Sequence, residues 1–463
     1  MPKTNTLKVS ISGVRGIVGE ALSPELICRF AEAFGAYVGR GPVIVGRDTR
    51  PSGPMVQQAV HAGLLAVGCK IIDIGVVPTP TLLIKVDESK AVGGIVITAS
   101  HNPNQWNALK FVDNKGIFLS AIKASEVLDI YNQGDVPYAP NGDIRRVISQ
   151  DDAFDIHLAR LKNFLDVDCI RRAGLNVAFD CCNGAASAFT GRFLAELGCS
   201  CFPLNDQPNG MFPHPPEPTP EHIGQLCDYV KTTGADIGFV QDPDADRLAI
   251  ADNTGTPIGE DYTLVLATRY LLNKFPDGHT VVANLAISRA FDDVAKQAGA
   301  NVIHTMIGEI NVTEKILDHH ALIGGENNGG VIVPAVHPCR DSFTAMGIIL
   351  EAMAATGMSV VELMSTVPRY ASHKEKFTMS ASNAYRLLRL LRHHDWGDNT
   401  WIRAIDGIRV DWPDRWVLIR PSNTEPVLRI IAEAPDPQTA KEHVATTWNL
   451  CRKLLAETTE NTD

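Results

Sequence analysis

One arrangement of strands and a helix recurs three times along the chain, and this repeat restricts the fold more than any other feature. Each copy opens with a short apolar strand, continues through a helix-like stretch that ends at a glycine, and enters a second apolar strand. The opening strands are predicted at 42–46, 175–179 and 280–283, and the glycines are Gly68, Gly198 and Gly299. Strand, helix and strand at this spacing predict parallel strands that are connected by helices. The sequence therefore predicts three related α/β units.

Each copy also contains a third apolar strand that stops at a loop rich in polar side chains. These loops are Thr98-Ala-Ser-His-Asn-Pro103, Asp242-Pro-Asp-Ala-Asp-Arg247 and Gly325-Glu-Asn-Asn-Gly329. Ligands of α/β proteins collect beyond the carboxyl ends of strands, so three such units can direct their loops into one central cleft. Any one of these loops alone would be an ordinary turn between a strand and the next element.

The pattern changes after about residue 367. Two strands at 415–420 and 427–432 are joined by a polar loop, and an amphipathic stretch at 437–455 predicts a closing helix. The predicted fold class is α/β, with three similar mixed α/β domains and a smaller C-terminal α+β domain around the cleft. The predicted domain ranges are 1–150, 151–256, 257–368 and 369–463.

Composition excludes several classes of partner. With 42 basic and 53 acidic residues the net charge is −11, which argues against nucleic acid or an anionic membrane. No segment approaches the roughly 18 apolar residues of a membrane span, and the N-terminal stretch lacks the apolar block of a secretory signal. The ten cysteines have neither disulfide-framework nor zinc-site spacing. We expect a cytoplasmic protein, monomeric or homodimeric, with reduced thiols.

The aspartate loop predicts a metal site. Asp242, Asp244 and Asp246 alternate with small residues directly after an apolar strand, so their carboxylates can converge where only a cation would relieve their repulsion. Oxygen ligands alone suit magnesium, and the spacing excludes an EF-hand. A solvated Asp-Pro turn is the alternative for this stretch.

Ser100 follows the apolar run that ends at Ile97, in a sharp turn that is expected to expose its hydroxyl. A helix-capping serine is the alternative interpretation. The hydrolase pattern G-x-S-x-G is absent, because Thr98 and Asn102 occupy the glycine positions. Beside a magnesium site, the chemistry that suits this serine is accepting and donating a phosphoryl group.

The polar loop near the C-terminus has the composition of a phosphate site. Between Arg420 and Arg429 it offers hydroxyl, amide and backbone N–H groups from Ser422, Asn423 and Thr424. A hairpin with a polar turn is the alternative. Neither the nucleotide-binding P-loop pattern nor the dinucleotide-binding glycine pattern occurs in the chain.

Taken together, the four loops resemble those of the α-D-phosphohexomutases, which interconvert sugar 1-phosphates and 6-phosphates. The loop around Ser100 is similar to the family's phosphoserine loop, and the aspartate loop to its magnesium loop. The Glu326 loop is similar to its sugar-recognition loop, and Arg420-Pro-Ser-Asn-Thr-Glu-Pro426 to its phosphate-binding loop. The resemblance covers nearly the whole chain, and all four motifs occur in the family's order.

The resemblance implies roles for individual residues. Phosphorylated Ser100 would give its phosphoryl group to the substrate, and the resulting sugar 1,6-bisphosphate, which also serves as activator, would turn over in the cleft. Magnesium would be held by the three aspartates and the Ser100 phosphate. Lys110 would transfer a proton with His101 as helper, while Arg15 and Arg247 would steady the phosphoserine region. A surface lysine on a strand is the alternative for Lys110.

The sugar-recognition loop departs from the bacterial pattern G-E-x-S-G-H, since Asn328 replaces serine and Gly330 replaces histidine. Glu326 remains to accept hydrogen bonds from sugar hydroxyls. With Gly308-Glu309 after a strand, the loop more closely resembles phosphoglucosamine mutases, in which Glu326 or Glu309 could pair with a 2-ammonium group. We therefore expect glucosamine phosphates as substrates. Glucose or mannose phosphates, a phosphatase with an aspartate nucleophile, and a sugar-phosphate sensor without activity are the alternatives.

Overall fold

The computed structural model describes residues 6–10, 13–422 and 426–460. The first part of the chain forms a seven-stranded sheet with the order β1-β2-β6-β5-β3-β4-β7. Its elements are β1 (Lys8–Ser10), β2 (Gly13–Ile17), α1 (Pro24–Tyr37), β3 (Pro42–Arg47), α2 (Gly53–Ala66), β4 (Lys70–Val76), α3 (Thr79–Glu88), β5 (Gly93–Ile97), β6 (Trp106–Asp113), α4 (Ala121–Gln133) and β7 (Val147–Ser149). Side chains of α1, α2 and α4 form one apolar core with this sheet, and those of α3 contribute to another.

The second part of the chain forms a four-stranded sheet with the order β11-β10-β8-β9. Its elements are α5 (Ala153–Phe164), α6 (Val167–Ala173), β8 (Asn176–Asp180), α7 (Thr190–Glu196), β9 (Ser200–Leu204), α8 (Gly224–Thr233), β10 (Ile237–Gln241) and β11 (Leu248–Asp252). Strand β10 is buried along its whole length, so the aspartate loop that follows begins inside the protein.

In the third part, strand β12 pairs in parallel with both β13 and β14, whereas β15 and β16 form an antiparallel pair. The elements are α9 (Glu260–Lys274), β12 (Thr280–Asn284), α10 (Arg289–Gln297), β13 (Asn301–Thr305), α11 (Glu309–His319), β14 (Ile323–Gly325), β15 (Val331–Val333), β16 (His337–Arg340), α12 (Ser342–Thr356) and α13 (Val360–Ser365).

The last part forms an antiparallel sheet with the order β17-β21-β20-β19-β18. Its elements are β17 (Ala371–Thr378), α14 (Ala381–Arg392), β18 (Trp401–Arg403), β19 (Ile408–Asp411), β20 (Trp416–Pro421), β21 (Val427–Ala434) and α15 (Pro437–Glu460). Buried side chains of α14 and α15, among them Leu387 and Val444, form one core with the sheet. The predicted α/β class with a closing α+β part is confirmed.

The threefold repeat is present in the strand pairing. In each copy the opening strand is central, and both the second and the third strands pair with it in parallel. The predicted helix-ending glycines Gly68, Gly198 and Gly299 have φ angles of 85°, 82° and 69°, which an L side chain rarely adopts. Because parallel neighbours end at the same sheet edge, the loop after each third strand lies beside the loop after its opening strand.

The chain divides into two compact units, one comprising Met1–Tyr270 with Asn328–Met364 and the other Leu271–Asn327 with Ser365–Asp463. The four domain ranges predicted from the sequence stay predictions. Within the described part of the chain, no helix combines the length and the hydrophobicity that crossing a membrane requires.

In the second unit, the C-terminal sheet is bonded to the segment that follows β12. The fully buried guanidinium of Arg409 donates hydrogen bonds to the carbonyl oxygens of Leu285 and Ile287. The Glu433 carboxylate accepts a hydrogen bond from the backbone N–H of Arg289. Breaking buried charged contacts of this kind is costly because it leaves an unpaired charge in the interior. These contacts therefore stabilise the packing of the C-terminal sheet on the segment after β12.

Candidate active site

Ser100 lies directly beyond strand β5 and is held in an uncommon backbone conformation. Its φ angle is 48°, in the left-handed region that non-glycine residues seldom enter. Its backbone N–H donates to the Thr98 hydroxyl at 2.9 Å, and its own hydroxyl donates to Asp242 Oδ2 at 2.8 Å. The predicted exposure of the hydroxyl is wrong, since only 3% of the residue is exposed, and Ser100 caps no helix. The hydroxyl instead points at the aspartate loop.

Arg50 holds the Ser100 loop in place, and the sequence analysis did not identify it. Its fully buried guanidinium donates hydrogen bonds to the carbonyl oxygens of four residues along this loop, namely Ser100, Asn102, Pro103 and Trp106. Its Nε bonds Asp48, whose carboxylate also accepts from the Thr98 hydroxyl at 2.7 Å. Arginine suits this role because its planar fork directs several donors at fixed angles. This network compensates for the strain at Ser100.

The three aspartates of the second loop converge as predicted. One carboxylate oxygen from each of Asp242, Asp244 and Asp246 lies within 4.8 Å of the others, and all three residues are buried. Burial, and then the charges of Asp244 and Asp246, raise the pKa of Asp242 well above its ordinary value. Burial opposes ionisation of Asp244 as well, but Lys110 and further hydrogen bonds lower its pKa below the ordinary range.

These carboxylates suit a divalent cation. Asp244 Oδ1 and Asp246 Oδ1 are buried and have no hydrogen-bond partner among the described residues, although buried carboxylate oxygens are normally paired. Three like charges at this separation, with two oxygens unsatisfied, fit a hard cation that takes oxygen ligands. The interpretation of this stretch as a solvated turn is therefore wrong, because none of the three aspartates is solvated.

Lys110 lies on strand β6 and reaches the aspartate loop from the neighbouring sheet. Its Nζ donates to Asp244 Oδ2 at 2.9 Å and lies 3.9 Å from Asp246 Oδ2. The residue is 5% exposed, so the alternative of a surface lysine is wrong. The contact places a primary amine against the aspartate cluster, which the Ser100 hydroxyl also contacts.

Two cationic arginines, Arg15 and Arg247, and the imidazole of His101 lie in the same region. Arg15 Nη1 donates to Asn102 Oδ1 at 2.6 Å, and Arg247 Nη1 donates to Glu217 at 3.1 Å. Burial, and then the charges of Arg247 and Arg15, hold the pKa of His101 well below its usual value. His101 is therefore a neutral imidazole near pH 7, and its buried Nδ1 has no hydrogen-bond partner in the part of the chain that the structure describes.

The second half of the sugar-recognition loop packs against the aspartate loop. A Cβ atom at Gly330 would lie 2.3 Å from Cδ of Arg340, so the arginine stem leaves no space for a side chain at this position. Arg340 Nη2 donates to Asp246 Oδ2 at 2.5 Å, and Asn328 Oδ1 accepts from the Gly330 N–H. A histidine at this position, as in the bacterial loop pattern, would require the Arg340 side chain to move.

In the second unit, Glu326 is 3% exposed and follows β14 directly. Its Oε1 accepts hydrogen bonds from the backbone N–H of Gly308 at 2.8 Å and from Asn284 Nδ2 at 3.2 Å. Glu309 begins helix α11. The structure thus places Gly308 against Glu326, and the binding of a sugar by these two residues stays a prediction.

The C-terminal loop brings two arginines together. Arg420 on β20 lies directly opposite Arg429 on β21, and opposite residues of an antiparallel pair project from the same face. The backbone N–H of Ser422 donates to the Val427 carbonyl and so extends the pairing of the two strands. Asn423 and Thr424, the other predicted phosphate ligands, lie outside the described residues. The adjacent guanidinium groups favour an anion at the end of this hairpin.

Family comparison agrees with this architecture over nearly the whole chain. Four models of the phosphoglucomutase/phosphomannomutase family match in order: alpha/beta/alpha domain I at 6–137, domain II at 155–255, domain III at 259–370, and the C-terminal domain at 376–447. The chain therefore belongs to this family, the α-D-phosphohexomutases, and it is an isomerase. Members of the family use a metal ion, for which the Asp242–Asp246 cluster has the required ligands.

Individual relatives span the same length. A protein of Methanopyrus kandleri named probable phosphoglucosamine mutase is 36% identical, with 97% of this chain and 98% of that protein covered. A phosphoglucomutase/phosphomannomutase of Thermococcus kodakarensis is 35% identical, with 96% and 97% covered. The crystal structure of a phosphoglucomutase/phosphomannomutase family protein from Burkholderia thailandensis superposes with a TM-score of 0.86 at 26% identity, covering 97% of this chain and 98% of that chain.

Proposed function

We propose that this phosphohexomutase is a phosphoglucosamine mutase that interconverts glucosamine 6-phosphate and glucosamine 1-phosphate through a phosphoserine at Ser100. The contact that carries the mechanism is the 2.8 Å hydrogen bond from the Ser100 hydroxyl to Asp242, inside a buried carboxylate cluster that Lys110 also reaches. Phosphoryl transfer depends mainly on positioning and on charge neutralisation, and this constellation supplies both.

In the proposed cycle, the phosphoryl group of Ser100 passes to a free hydroxyl of the sugar monophosphate and the P–Oγ bond breaks. The sugar hydroxyl loses its proton to His101, whose neutral imidazole can accept it, or to Lys110 in its neutral amine form. The bisphosphate then reorients, and Ser100 Oγ takes back the other phosphoryl group as that sugar hydroxyl regains a proton. Sugar 1,6-bisphosphate added from outside would activate enzyme molecules that have lost their phosphate.

Asp242, Asp244, Asp246 and the Ser100 phosphoryl group would hold magnesium. A bound magnesium ion would offset the negative charge on the transferring group. Arg247 and Arg15 supply fixed positive charge beside it, and Arg15 also secures the Ser100 loop through Asn102.

The proposal of an amino sugar rests on the sugar-recognition loop and on the name of the Methanopyrus relative. Glu326 presents a buried carboxylate, and Gly330 contributes no imidazole cation because the stem of Arg340 fills that space. A carboxylate can form a charge-assisted hydrogen bond with a 2-ammonium group. The alternative is a phosphomannomutase/phosphoglucomutase with the same mechanism, as the Thermococcus relative is named.

Substrate preference is tested by measuring kcat/KM for glucosamine, glucose and mannose 6-phosphates side by side, with magnesium and trace glucose 1,6-bisphosphate. A Ser100→Ala preparation serves as the blank. Faster turnover of glucosamine 6-phosphate supports the proposal. Equal or faster turnover of the other two would overturn the amino-sugar assignment and leave the mechanism intact.

The cell compartment is also a proposal. All ten cysteines carry free thiols, most of them buried, as expected in a reducing cytoplasm. We propose that the enzyme acts there on hexosamine phosphates, as a monomer or a homodimer.

The Thr98 hydroxyl offers a direct test of loop positioning. Thr98→Val keeps the shape of the buried side chain but leaves the Ser100 N–H and an Asp48 oxygen without this partner. An unsatisfied buried group costs about 1–3 kcal/mol, so we expect kcat to fall roughly 10-fold to 100-fold with KM little changed. Steady-state kinetics measure kcat and KM separately. Thr98→Ser, which keeps the hydroxyl, is the matched control and should stay close to wild type; equal kcat values for all three proteins would contradict the positioning.

Arg420→Ala removes a guanidinium that is proposed to bind the substrate phosphate. Losing a charge-assisted hydrogen bond costs about 1.5–3 kcal/mol, which corresponds to a rise in KM of roughly 10-fold to 100-fold. Arg389→Ala, which removes an exposed arginine from α14 of the same domain, is the control and should leave KM unchanged. If Arg420→Ala also left KM unchanged, the C-terminal loop would not hold the phosphate.

A further inference from the structure

Asp406 lies at the turn between strands β18 and β19, outside every motif that the sequence analysis singled out. The antiparallel register of β19 and β20 pairs Ile408 with Ile419, which brings Gly407 beside Arg420. Gly407 has a φ angle of 81°, and a Cβ atom there would lie 2.3 Å from the Ile419 carbonyl oxygen. Only glycine fits this close approach, and the approach carries the Asp406 carboxylate to the end of β20.

One oxygen of Asp406 orients Arg420. Asp406 Oδ1 accepts a hydrogen bond from Arg420 Nε at 2.7 Å, and both side chains are 17% exposed. The two Nη groups of Arg420 have no hydrogen-bond partner among the described residues, so the end of the guanidinium fork is available to an anion. A carboxylate on Nε fixes the plane of that fork and lowers the entropy lost when a phosphate binds.

The other oxygen of Asp406 contacts the opposite side of the site. Asp406 Oδ2 accepts a hydrogen bond from the backbone N–H of Ile307 at 3.0 Å. The next residue, Gly308, has a φ angle of 124° and donates its N–H to Glu326. A single carboxylate is therefore linked by short hydrogen bonds to the phosphate-binding arginine and, through two successive backbone N–H groups, to the sugar-recognition glutamate.

We propose that Asp406 is a positioning residue that holds Arg420 and the Ile307–Gly308 backbone in one preassembled platform, so that recognition of the phosphate and of the sugar ring is coupled. This inference rests on the proposed function, because it takes Arg420 and Glu326 as ligands of one hexose phosphate. Asp406 itself touches no substrate, and its effect is exerted entirely through these two neighbours.

The test measures equilibrium binding without turnover. In a Ser100→Ala background, isothermal titration calorimetry gives Kd values for glucosamine 6-phosphate and for inorganic phosphate. We expect Asp406→Ala to raise the Kd for glucosamine 6-phosphate at least about 10-fold, and Asp406→Asn, which keeps one acceptor oxygen, to have a smaller effect. Asp398→Ala removes an exposed carboxylate of the same domain and should change nothing.

A second background separates the two contacts of Asp406. In the Arg420→Ala variant, Asp406→Ala should still weaken glucosamine 6-phosphate binding several-fold through the Ile307–Gly308 contact, and should leave phosphate binding unchanged. An unchanged Kd for Asp406→Ala alone, or no further loss in the Arg420→Ala background, would overturn the inference. If Asp406→Ala does not fold by circular dichroism, Asp406→Asn carries the same test. If the Ser100→Ala protein without any further substitution failed to bind any hexose phosphate, that result would instead count against the proposed function.

Discussion

Ser100→Ala is expected to lower kcat by at least about 10⁴-fold, because it removes the hydroxyl that we propose carries the phosphoryl group between the two sugar positions. Within the described ranges its hydroxyl makes one hydrogen bond, to a carboxylate whose pKa is already raised, so the fold should tolerate the change. The melting temperature should therefore move little while turnover disappears. Coupled assays of hexose phosphate isomerisation and thermal unfolding measure the two quantities on the same preparation.

Ser372→Ala on β17 is the matched control, since it removes an exposed hydroxyl and should retain full activity. Substantial activity in Ser100→Ala would contradict the nucleophile assignment. It would favour the rival chemistry, a phosphatase in which Asp242 forms an acyl-phosphate and Ser100 is dispensable. A sensor without activity would show ligand binding but no turnover in the wild-type protein with magnesium and bisphosphate.

Asp244→Asn is expected to reduce magnesium-dependent turnover roughly 100-fold to 1,000-fold, a magnitude comparable to the loss of one transition-state contact. Asparagine retains an acceptor for Lys110 and Thr79, so the change removes charge and a hard ligand without leaving a buried cation unpaired. The same substitution should raise the magnesium concentration that gives half-maximal activity. A magnesium titration of activity measures both effects.

Asp228→Asn is the matched control, because it removes an exposed carboxylate of α8 that has no link to the cluster. The activity of this variant should depend on magnesium concentration as that of the wild-type protein does. A metal titration of Asp244→Asn that overlaid the wild-type curve would show that the aspartate loop is not the metal site.

The fold follows from local sequence signals. Each helix-ending glycine, each apolar strand and each polar loop is encoded over a few residues, and pairing of the strands in parallel then places the loop ends at one sheet edge. The meeting of Ser100 with Asp242 needed the further expectation that separate α/β units direct their loops into one cleft, because the two residues follow strands of different sheets. The position of Lys110 on a strand could be predicted from the local signals. Its burial could not, because burial depends on Asp244, 134 residues away.

The residues that the sequence analysis missed act over long separations. The Arg50 guanidinium donates hydrogen bonds to carbonyl oxygens about fifty residues along the chain, and the positions of carbonyl oxygens cannot be inferred from the sequence. A signal existed, since Arg47-Asp-Thr-Arg50 follows an opening strand at the very edge where the Ser100 loop lies. Gly330 is explained only by the stem of Arg340, and Asp406 only by the register that brings it to Arg420. Side-chain packing of this kind is decided by the folded structure.

Phosphopeptide mapping tests the central claim most directly. Wild-type protein is incubated with glucose 1,6-bisphosphate and magnesium, freed of ligand, and digested before and after addition of glucosamine 6-phosphate. We expect phosphate on Ser100 after the first step, and its loss with formation of glucosamine 1,6-bisphosphate after the second. The mechanism would be contradicted if Ser100 stayed unmodified or if the phosphate were found on Asp242. It would also be contradicted if none of the 6-phosphates of glucosamine, glucose and mannose removed the phosphate from Ser100.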